Sequence, residues 1–108
     1  MRKTLVLWAA GLASLTTPLY ALDAAAAKAL AQKNACMGCH AVDKKMVGPA
    51  YKDIANKYKG MKPEELAASI KKGGAGKWGP VPMPAQAGLS DNDAKLLAEW
   101  VLAGAPDK

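Results

Sequence analysis

Large aromatic side chains are scarce in this chain of 108 residues, and phenylalanine is absent. After the first 21 residues the only aromatic residues are Tyr51, Tyr58, Trp78 and Trp100. A chain of this length forms one domain, and so small a domain is marginally stable unless a metal, a disulfide or a similar group supports it. Alanine is abundant but contributes little apolar area. The sequence therefore lacks part of its own core, and a large buried apolar group would complete it.

A strong excess of charge is also absent, and the balance is only mildly basic. The chain has 15 basic and 9 acidic residues, a formal net charge of +6. Without Arg2 and Lys3, which lie in the N-terminal segment described next, that charge falls to +4. The lysines are scattered and form no basic stripe, and no nucleic-acid-binding module is recognisable, so nucleic acid is not an expected partner.

The chain has no apolar run of the about 20 residues that a membrane span requires. The longest run, residues 5–13, follows Arg2 and Lys3 and precedes Pro18 and the small residue Ala21. This order is typical of a secretory signal peptide. We therefore predict a signal peptide over residues 1–21 and one exported domain over residues 22–108. The alternative is an N-terminal core helix of a cytosolic protein, which would not need this order.

Periodicity and capping residues predict four helices and no strand, hence an all-α domain. The predicted helices run from Asp23 toward Cys36, from Pro49 to Gly60, from Pro63 to Gly73, and from Ser90 to near Gly104. Asp and Ser are favoured N-caps, Pro is favoured at the first helical position, and Gly often follows the last. A glycine- and proline-rich loop spans residues 73–88, and its length indicates either function or disorder.

Both cysteines and the single histidine lie in the motif Cys36-Met37-Gly38-Cys39-His40. This is the C-x-x-C-H haem attachment motif. Cysteines at this spacing can reach two vinyl groups on one porphyrin edge, and His40 then lies under the iron as the proximal ligand. Covalent attachment retains the cofactor in a chain too small to enclose it by packing alone. The motif predicts one haem c, bound through two thioethers.

Three other readings of the cysteine pair are weaker. A thiol–disulfide redox centre usually lies in a strand-to-helix turn, and no strand is predicted. A structural zinc site needs four ligands, commonly from two paired sets, and there is no second pair. A plain disulfide is compatible with an oxidising compartment, but so short a loop gains little from closure.

Methionine is the candidate for the sixth iron ligand. The candidates outside the attachment motif are Met46, Met61 and Met83. Met46 follows His40 closely and is expected to stay on its side, whereas Met61 lies between two predicted helices. Met83 lies between prolines in the sequence GPVPMP, and prolines stiffen a loop that must hold one side chain at a metal. Met83 is therefore favoured over its alternative role as a core residue that fills a gap.

The motifs CMGCH, KKMVGPAYKDIANKY, KWGPVPMP and LLAEWVL together resemble the small bacterial class I cytochromes c of the cytochrome c-551 type. The resemblance spans nearly all of residues 22–108. It implies the class I cytochrome c fold, with about four helices around one covalent haem. His40 and Met83 would be the axial ligands, because a His/Met pair suits electron transfer and leaves no iron position open for a substrate.

The resemblance also implies roles for residues around the haem. The Pro49 carbonyl would accept a hydrogen bond from His40, and the Trp78 indole would donate one to a haem propionate. Two positions depart from the family, because Ser69 and Gln86 stand where many relatives have Arg and Asn. An apolar patch would surround the exposed haem edge, formed by Met37, Met46, Val47, Pro80, Val81, Pro82, Pro84 and Ala87. Its rim would carry Lys33, Lys44, Lys45 and Lys77.

The predicted function is a soluble periplasmic electron carrier that shuttles between a respiratory donor and a terminal reductase or oxidase. It would be a monomer with transient redox partners, without catalysis and without membrane insertion after signal cleavage. One alternative is a haem peroxidase or redox sensor with a labile Met83. The other is a haem subunit fixed in a larger complex.

Overall fold

A computed structural model describes residues 22–107 of the chain. Four α-helices follow one another as α1 (Ala24–Lys33), α2 (Tyr51–Lys57), α3 (Pro63–Lys72) and α4 (Asp91–Leu102), with a short 3-10 helix at Cys36–Gly38 between α1 and α2. Within residues 22–107 there is no strand, only an isolated antiparallel bridge between Gly74 and Met83. The predicted all-α class is confirmed. The predicted signal peptide, residues 1–21, lies outside the described residues.

Side-chain caps begin α1 and α4 where the sequence predicted. The Asp23 carboxylate accepts a hydrogen bond from the Ala26 N–H at 2.9 Å, and the Ser90 hydroxyl accepts one from the Asp93 N–H at 3.0 Å. Pro63 is the first residue of α3, and Gly73 caps its end with φ +71°. None of the helices in residues 22–107 is long and apolar enough to cross a membrane.

Two helices are shorter than predicted. Helix α2 begins at Tyr51 rather than at Pro49, because Ala50 is extended and caps the helix. It ends at Lys57, and the Met61 N–H donates to the Tyr58 carbonyl at 2.8 Å, so Gly60 lies in the turn that follows the helix. Helix α1 ends at Lys33, three residues before Cys36.

The end of α1 has an unusual backbone. The Asn34 side chain donates to the Leu30 carbonyl at 2.9 Å, and the following residue, Ala35, has φ +61°. A non-glycine residue in the left-handed region is strained by roughly 1–2 kcal/mol. This turn directs the chain from α1 into the 3-10 helix that carries Cys36.

Helix α4 is central, because it packs against each of the other three helices. Trp100 on α4 is 1% exposed, and its indole N–H donates to the Pro106 carbonyl at 2.8 Å. The ring also meets Tyr51 of α2 edge to face, with centroids 5.2 Å apart. This contact joins α4 to the start of α2, beside the attachment motif.

Alanine dominates the packing between α1 and α4. Ala27 and Ala31 on α1, and Ala94 and Ala98 on α4, are all 0% exposed. Short side chains let the two helices approach closely but bury little apolar area each. The protein core is therefore thin, and a cavity opens on the other side of α4.

Candidate functional site

One cavity lies between the Cys36–His40 motif, helices α2 to α4 and the loop over residues 73–88. Its volume is about 1250 Å³, counted out to its open mouth. The predicted site residues Cys36, Cys39, His40, Pro49, Trp78 and Met83 all line it, as does Ser69. Among the lining residues Lys77 is the only lysine, and there is no arginine or carboxylate. The topology thus gathers the predicted residues around one largely apolar space.

The methionine candidates differ in whether they line this cavity. Met61 and Met83 line it, whereas Met46 does not and is 42% exposed. Gln86, which the resemblance places near the Met83 sulfur, also lies outside the lining. Its side-chain Nε2 donates a hydrogen bond to the Pro84 carbonyl oxygen at 3.5 Å.

The two cysteines lie on a tight turn. The N–H groups of Cys39 and His40 both donate to the Cys36 carbonyl, at 3.2 and 3.0 Å. Both thiols are free and half-buried. Burial raises the pKa of the Cys36 thiol, a backbone hydrogen bond partly opposes this, and nearby Cys39 raises the pKa further. In residues 22–107 no cluster of three or more His, Cys, Asp or Glu side chains has the arrangement to hold a metal ion.

His40 is fixed by its neighbours. Its Nδ1 lies 2.7 Å from the Pro49 carbonyl oxygen. A carbonyl can only accept, so Nδ1 carries the proton and Nε2 keeps its lone pair for a metal. The ring stacks on Tyr51 with centroids 5.1 Å apart and planes 25° from parallel. These contacts set both the tautomer and the orientation of the imidazole.

Gly48 and Tyr51 are site residues that the sequence reasoning did not identify. A Cβ on Gly48 would lie 2.6 Å from His40 Cε1, so only glycine leaves room for the imidazole ring. Burial raises the pKa of the Tyr51 hydroxyl, and the Cys36 and Cys39 thiols raise it further, so the phenol stays neutral. Both residues lie in the sequence VGPAY, which also contains Pro49, the predicted hydrogen-bond partner of His40. Their position beside Pro49 was the signal that could have identified them.

Met83 is held at the base of the loop. Its backbone exchanges two hydrogen bonds with Gly74, at 2.7 and 3.0 Å, and forms the isolated bridge. Gly73 next to this bridge has φ +71°, and a Cβ there would lie 2.5 Å from the Met83 carbonyl oxygen. The base of the loop therefore needs glycine for both its conformation and its space.

Trp78 lies at the mouth of the cavity and is 36% exposed. Its ring meets Tyr58 edge to face at 6.1 Å, and Lys57 Nζ lies 4.4 Å from the ring centroid. Among the described residues the indole N–H has no hydrogen-bond acceptor. A donor is thus available at the mouth for an anionic group.

These residues fit a haem. Two half-buried thiols, an imidazole with a free Nε2 and a thioether line one apolar cavity, and Trp78 and Lys77 are also among the lining residues. Thiols, imidazole and thioether are the donor set that c-type haem proteins use. A haem is a flat apolar group with two propionates, which require polar partners at one edge.

Comparison with known proteins agrees with this fit. A family model described as cytochrome c matches residues 24–105 of the chain. The chain belongs to the cytochrome c family. It is a small class I c-type cytochrome, an electron carrier with one covalently attached c-type haem.

Individual relatives of this cytochrome cover most of its described length. It is 46% identical to cytochrome c-552 of Hydrogenobacter thermophilus over 105 residues, which are 95% of this chain and 98% of the relative. It is 53% identical to cytochrome c-551 of Pseudomonas aeruginosa over 76 residues, 68% of this chain and 72% of the relative. Its fold is similar to the crystal structure of wild-type Nitrosomonas europaea cytochrome c552, with a TM-score of 0.68 and 51% identity over 71% of this chain and 98% of that one. The predicted family and fold class are confirmed.

Proposed function

We propose that this cytochrome is a periplasmic one-electron carrier whose haem iron is ligated by His40 and Met83. Residues 1–21 would be a signal peptide removed on export, and residues 22–108 the monohaem carrier. The observation that carries the proposal is the cavity itself, which brings an imidazole with a free Nε2 and a thioether to one apolar space. Filling both axial positions with protein side chains suits a carrier rather than an enzyme, because no position is left for a substrate.

The attachment motif would supply three of the bonds to the cofactor. Cys36 and Cys39 would form the two thioethers, and His40 would ligate iron through Nε2. The hydrogen bond from Nδ1 to the Pro49 carbonyl fixes the ring and makes Nε2 a stronger donor. When bound, the haem supplies a one-electron couple at iron.

Met83 would complete the ligand set. A thioether favours the ferrous state and so raises the reduction potential. The Gly74–Met83 bridge and the flanking prolines hold the backbone of this residue, which lowers the entropy lost when its side chain binds a metal.

The propionates would be held by Trp78 and Lys77. Ser69 lines the cavity but is too short and uncharged to replace the Arg that many relatives have there. Trp78 and Lys77 remain as the lining residues that could supply a donor and a positive charge. Propionate stabilisation would therefore depend on the loop over residues 73–88 more than on α3.

Electrons would leave through the cavity mouth. Val47 and Val81 line the cavity and are 54% and 58% exposed, and Met46 beside them is 42% exposed. These three residues, here called the edge patch, would contact redox proteins transiently. Redox encounters typically bury less than roughly 1,200 Å² in total. A monomer that docks briefly fits a freely diffusing shuttle between a respiratory donor and a terminal reductase or oxidase.

The spectrum of Met83→Ala tests the proposed ligand. The oxidised wild type should show the weak far-red absorption of a sulfur–iron bond, and Met83→Ala should lose it, bind exogenous ligands and have a lower reduction potential. Met61→Leu is the matched control, because Met61 also lines the cavity. Retention of the band in Met83→Ala, with its loss in Met61→Leu, would overturn the assignment. Export is tested separately by the mass of the periplasmic protein, which should begin at Leu22.

A further inference from the structure

Lys57, the exposed last residue of α2, has its ammonium group in contact with the loop over residues 73–88. Lys57 Nζ donates a hydrogen bond to the Lys77 carbonyl at 3.3 Å. The same nitrogen lies 4.4 Å from the Trp78 ring centroid and 5.6 Å from that of Tyr58. Both ring distances are within the about 6 Å of a cation–π contact. One lysine thus meets two consecutive residues that are 20 and 21 positions away.

The tip of this loop has few other attachments. Residues 75–82 are all exposed. Within the described chain, the bond from Lys57 to the Lys77 carbonyl is the only hydrogen bond that joins residues 75–82 to the rest of the protein. The base is closed separately by the Gly74–Met83 bridge. Lys57 therefore holds the tip, and the bridge holds the base.

Both contacts of Lys57 require its positive charge or its N–H groups. The attraction to an aromatic face is electrostatic, and the carbonyl needs a donor. An apolar side chain of similar length would keep the packing of the stem along Tyr58 and Trp78 but would lose both contacts. The contribution of the charge can thus be separated from that of the packing.

We propose that Lys57 is a positioning residue for the loop that carries Met83 and Trp78. Its ammonium group clamps the Trp78 ring and the Lys77 carbonyl, and so keeps the loop closed over the cavity. Lys57 does not itself line the cavity, and it acts through the residues that do. The effect on ligation rests on the proposed role of Met83, whereas the clamp itself does not.

The test compares three variants of the full-length, haem-loaded protein. Lys57→Met removes the charge and keeps the stem, Lys57→Arg keeps a cation, and Lys59→Met removes the same charge from an exposed neighbour. We measure hydrogen exchange of the Gly74 and Met83 amides, which are hydrogen-bonded to each other's carbonyls at the loop base, and the affinity of the ferric protein for imidazole. Lys57→Met should raise both by roughly threefold to tenfold, the range expected for a partly exposed cation–π contact and one hydrogen bond. Lys57→Arg and Lys59→Met should stay within about twofold of the wild type.

Two results would overturn the clamp. One is unchanged exchange and imidazole affinity in Lys57→Met. The other is an equal change in Lys59→Met, which would assign the effect to net charge. Absence of far-red absorption in the wild type would instead overturn Met83 ligation, and the exchange of the Gly74 and Met83 amides would still decide the clamp.

Discussion

The two segments that face the haem cavity are held in different ways. The attachment segment, residues 36–51, is cross-linked by its own backbone, because the Gly48 N–H donates to the Cys39 carbonyl at 2.7 Å and the Tyr51 N–H to the Ala41 carbonyl at 2.9 Å. The Met83 loop, residues 73–88, is closed at its base by the Gly74–Met83 bridge and by the Gln86 N–H, which donates to the Lys71 carbonyl at 3.0 Å. Its tip is held by side chains alone, through Lys57 and the edge-to-face contact of Trp78 with Tyr58. The segment that carries His40 is therefore held rigidly by backbone hydrogen bonds. The Met83 loop is expected to open at a lower free energy.

The largest expected effect comes from removing the covalent anchor on the attachment segment. Cys36→Ala combined with Cys39→Ala should leave a largely unfolded chain, because the thin alanine core loses the group that completes it, and binding free energy at a site absent from the unfolded chain is folding free energy. Circular dichroism of the purified variant, beside the haem-loaded wild type, measures this. A cooperative helical melt without haem would show that the core suffices alone.

A pair of glycine substitutions compares the two segments directly. Gly73→Ala should destabilise the protein by about 2–4 kcal/mol, because φ +71° is strained for alanine and the new Cβ meets the Met83 carbonyl. Gly48→Ala should cost about 1–3 kcal/mol by pressing on the His40 ring. Denaturant unfolding gives both values.

The far-red absorption separates the two glycine variants further. Gly73→Ala should weaken the band, and Gly48→Ala should leave it in place. Equal spectra would mean that strain at the loop base does not reach Met83.

The edge patch includes residues of both the attachment segment and the Met83 loop. Electron transfer to a docked partner therefore depends on both segments. Val47→Lys on the attachment segment and Val81→Glu on the loop should each slow electron transfer to a physiological partner more than Lys44→Ala does. Added salt should slow it only modestly, because the formal charge of +4 over residues 22–108 falls further with two propionates, and exposed charges are screened beyond about 10 Å at 0.1 M. Stopped-flow rates decide this. A steep salt dependence with indifferent patch variants would assign the contact to the lysines.

A smaller effect is expected where α1 meets the attachment segment. Ala35→Gly should stabilise the protein by about 0.5–1 kcal/mol, since relief of the left-handed strain at φ +61° exceeds the entropy that glycine loses on folding. Ala29→Gly, at an exposed position inside α1, is the matched control and should destabilise by a similar amount. Thermal melts of both variants measure the difference. Destabilisation by Ala35→Gly would mean that the turn is not strained.

The smallest effect concerns the ion pair between Lys71, before the Met83 loop, and Asp91, after it. Lys71 Nζ lies 2.6 Å from Asp91, and its hydrogen bond and charge lower the pKa of that carboxyl. A pKa lowered by folding gives stability that is present above the ordinary value of 3.8 and is lost as the pH falls through the folded value. Asp91→Asn should flatten the acid side of the stability profile slightly, and Lys71→Met should do the same. A double-mutant cycle with additive effects would show that the pair is uncoupled.

Local chemistry in the sequence was enough to predict the four helices and several of the residues that line the cavity. Asp23 and Ser90 cap helices through bonds to the third residue on, a spacing that the sequence displays directly. The C-x-x-C-H motif likewise joins neighbours in sequence, so the cavity residues around His40 could be named in advance. Pro49 misled the prediction of α2, because its carbonyl serves His40 and Ala50 stays extended before the helix.

Contacts between distant residues could not be predicted in this way. The Lys57 contact with Trp78 depends on the path of a loop without periodicity, and a lysine at a helix end has the appearance of an ordinary solvated residue. Gly48 under His40 and the left-handed Ala35 are likewise consequences of backbone geometry, which composition does not display.

Alanine side chains join the first and last helices of the described chain, and this affects the order of folding. Docking α1 on α4 closes a loop of nearly the whole domain, and the entropy cost of closure grows with loop length. Burial of four methyl groups returns little free energy for that closure. Helix α3, which lies near α4 in sequence, pairs with it at lower entropic cost. We expect the α1–α4 contact to form late in folding and to separate early in unfolding, so amides of α1 should exchange before those of α3.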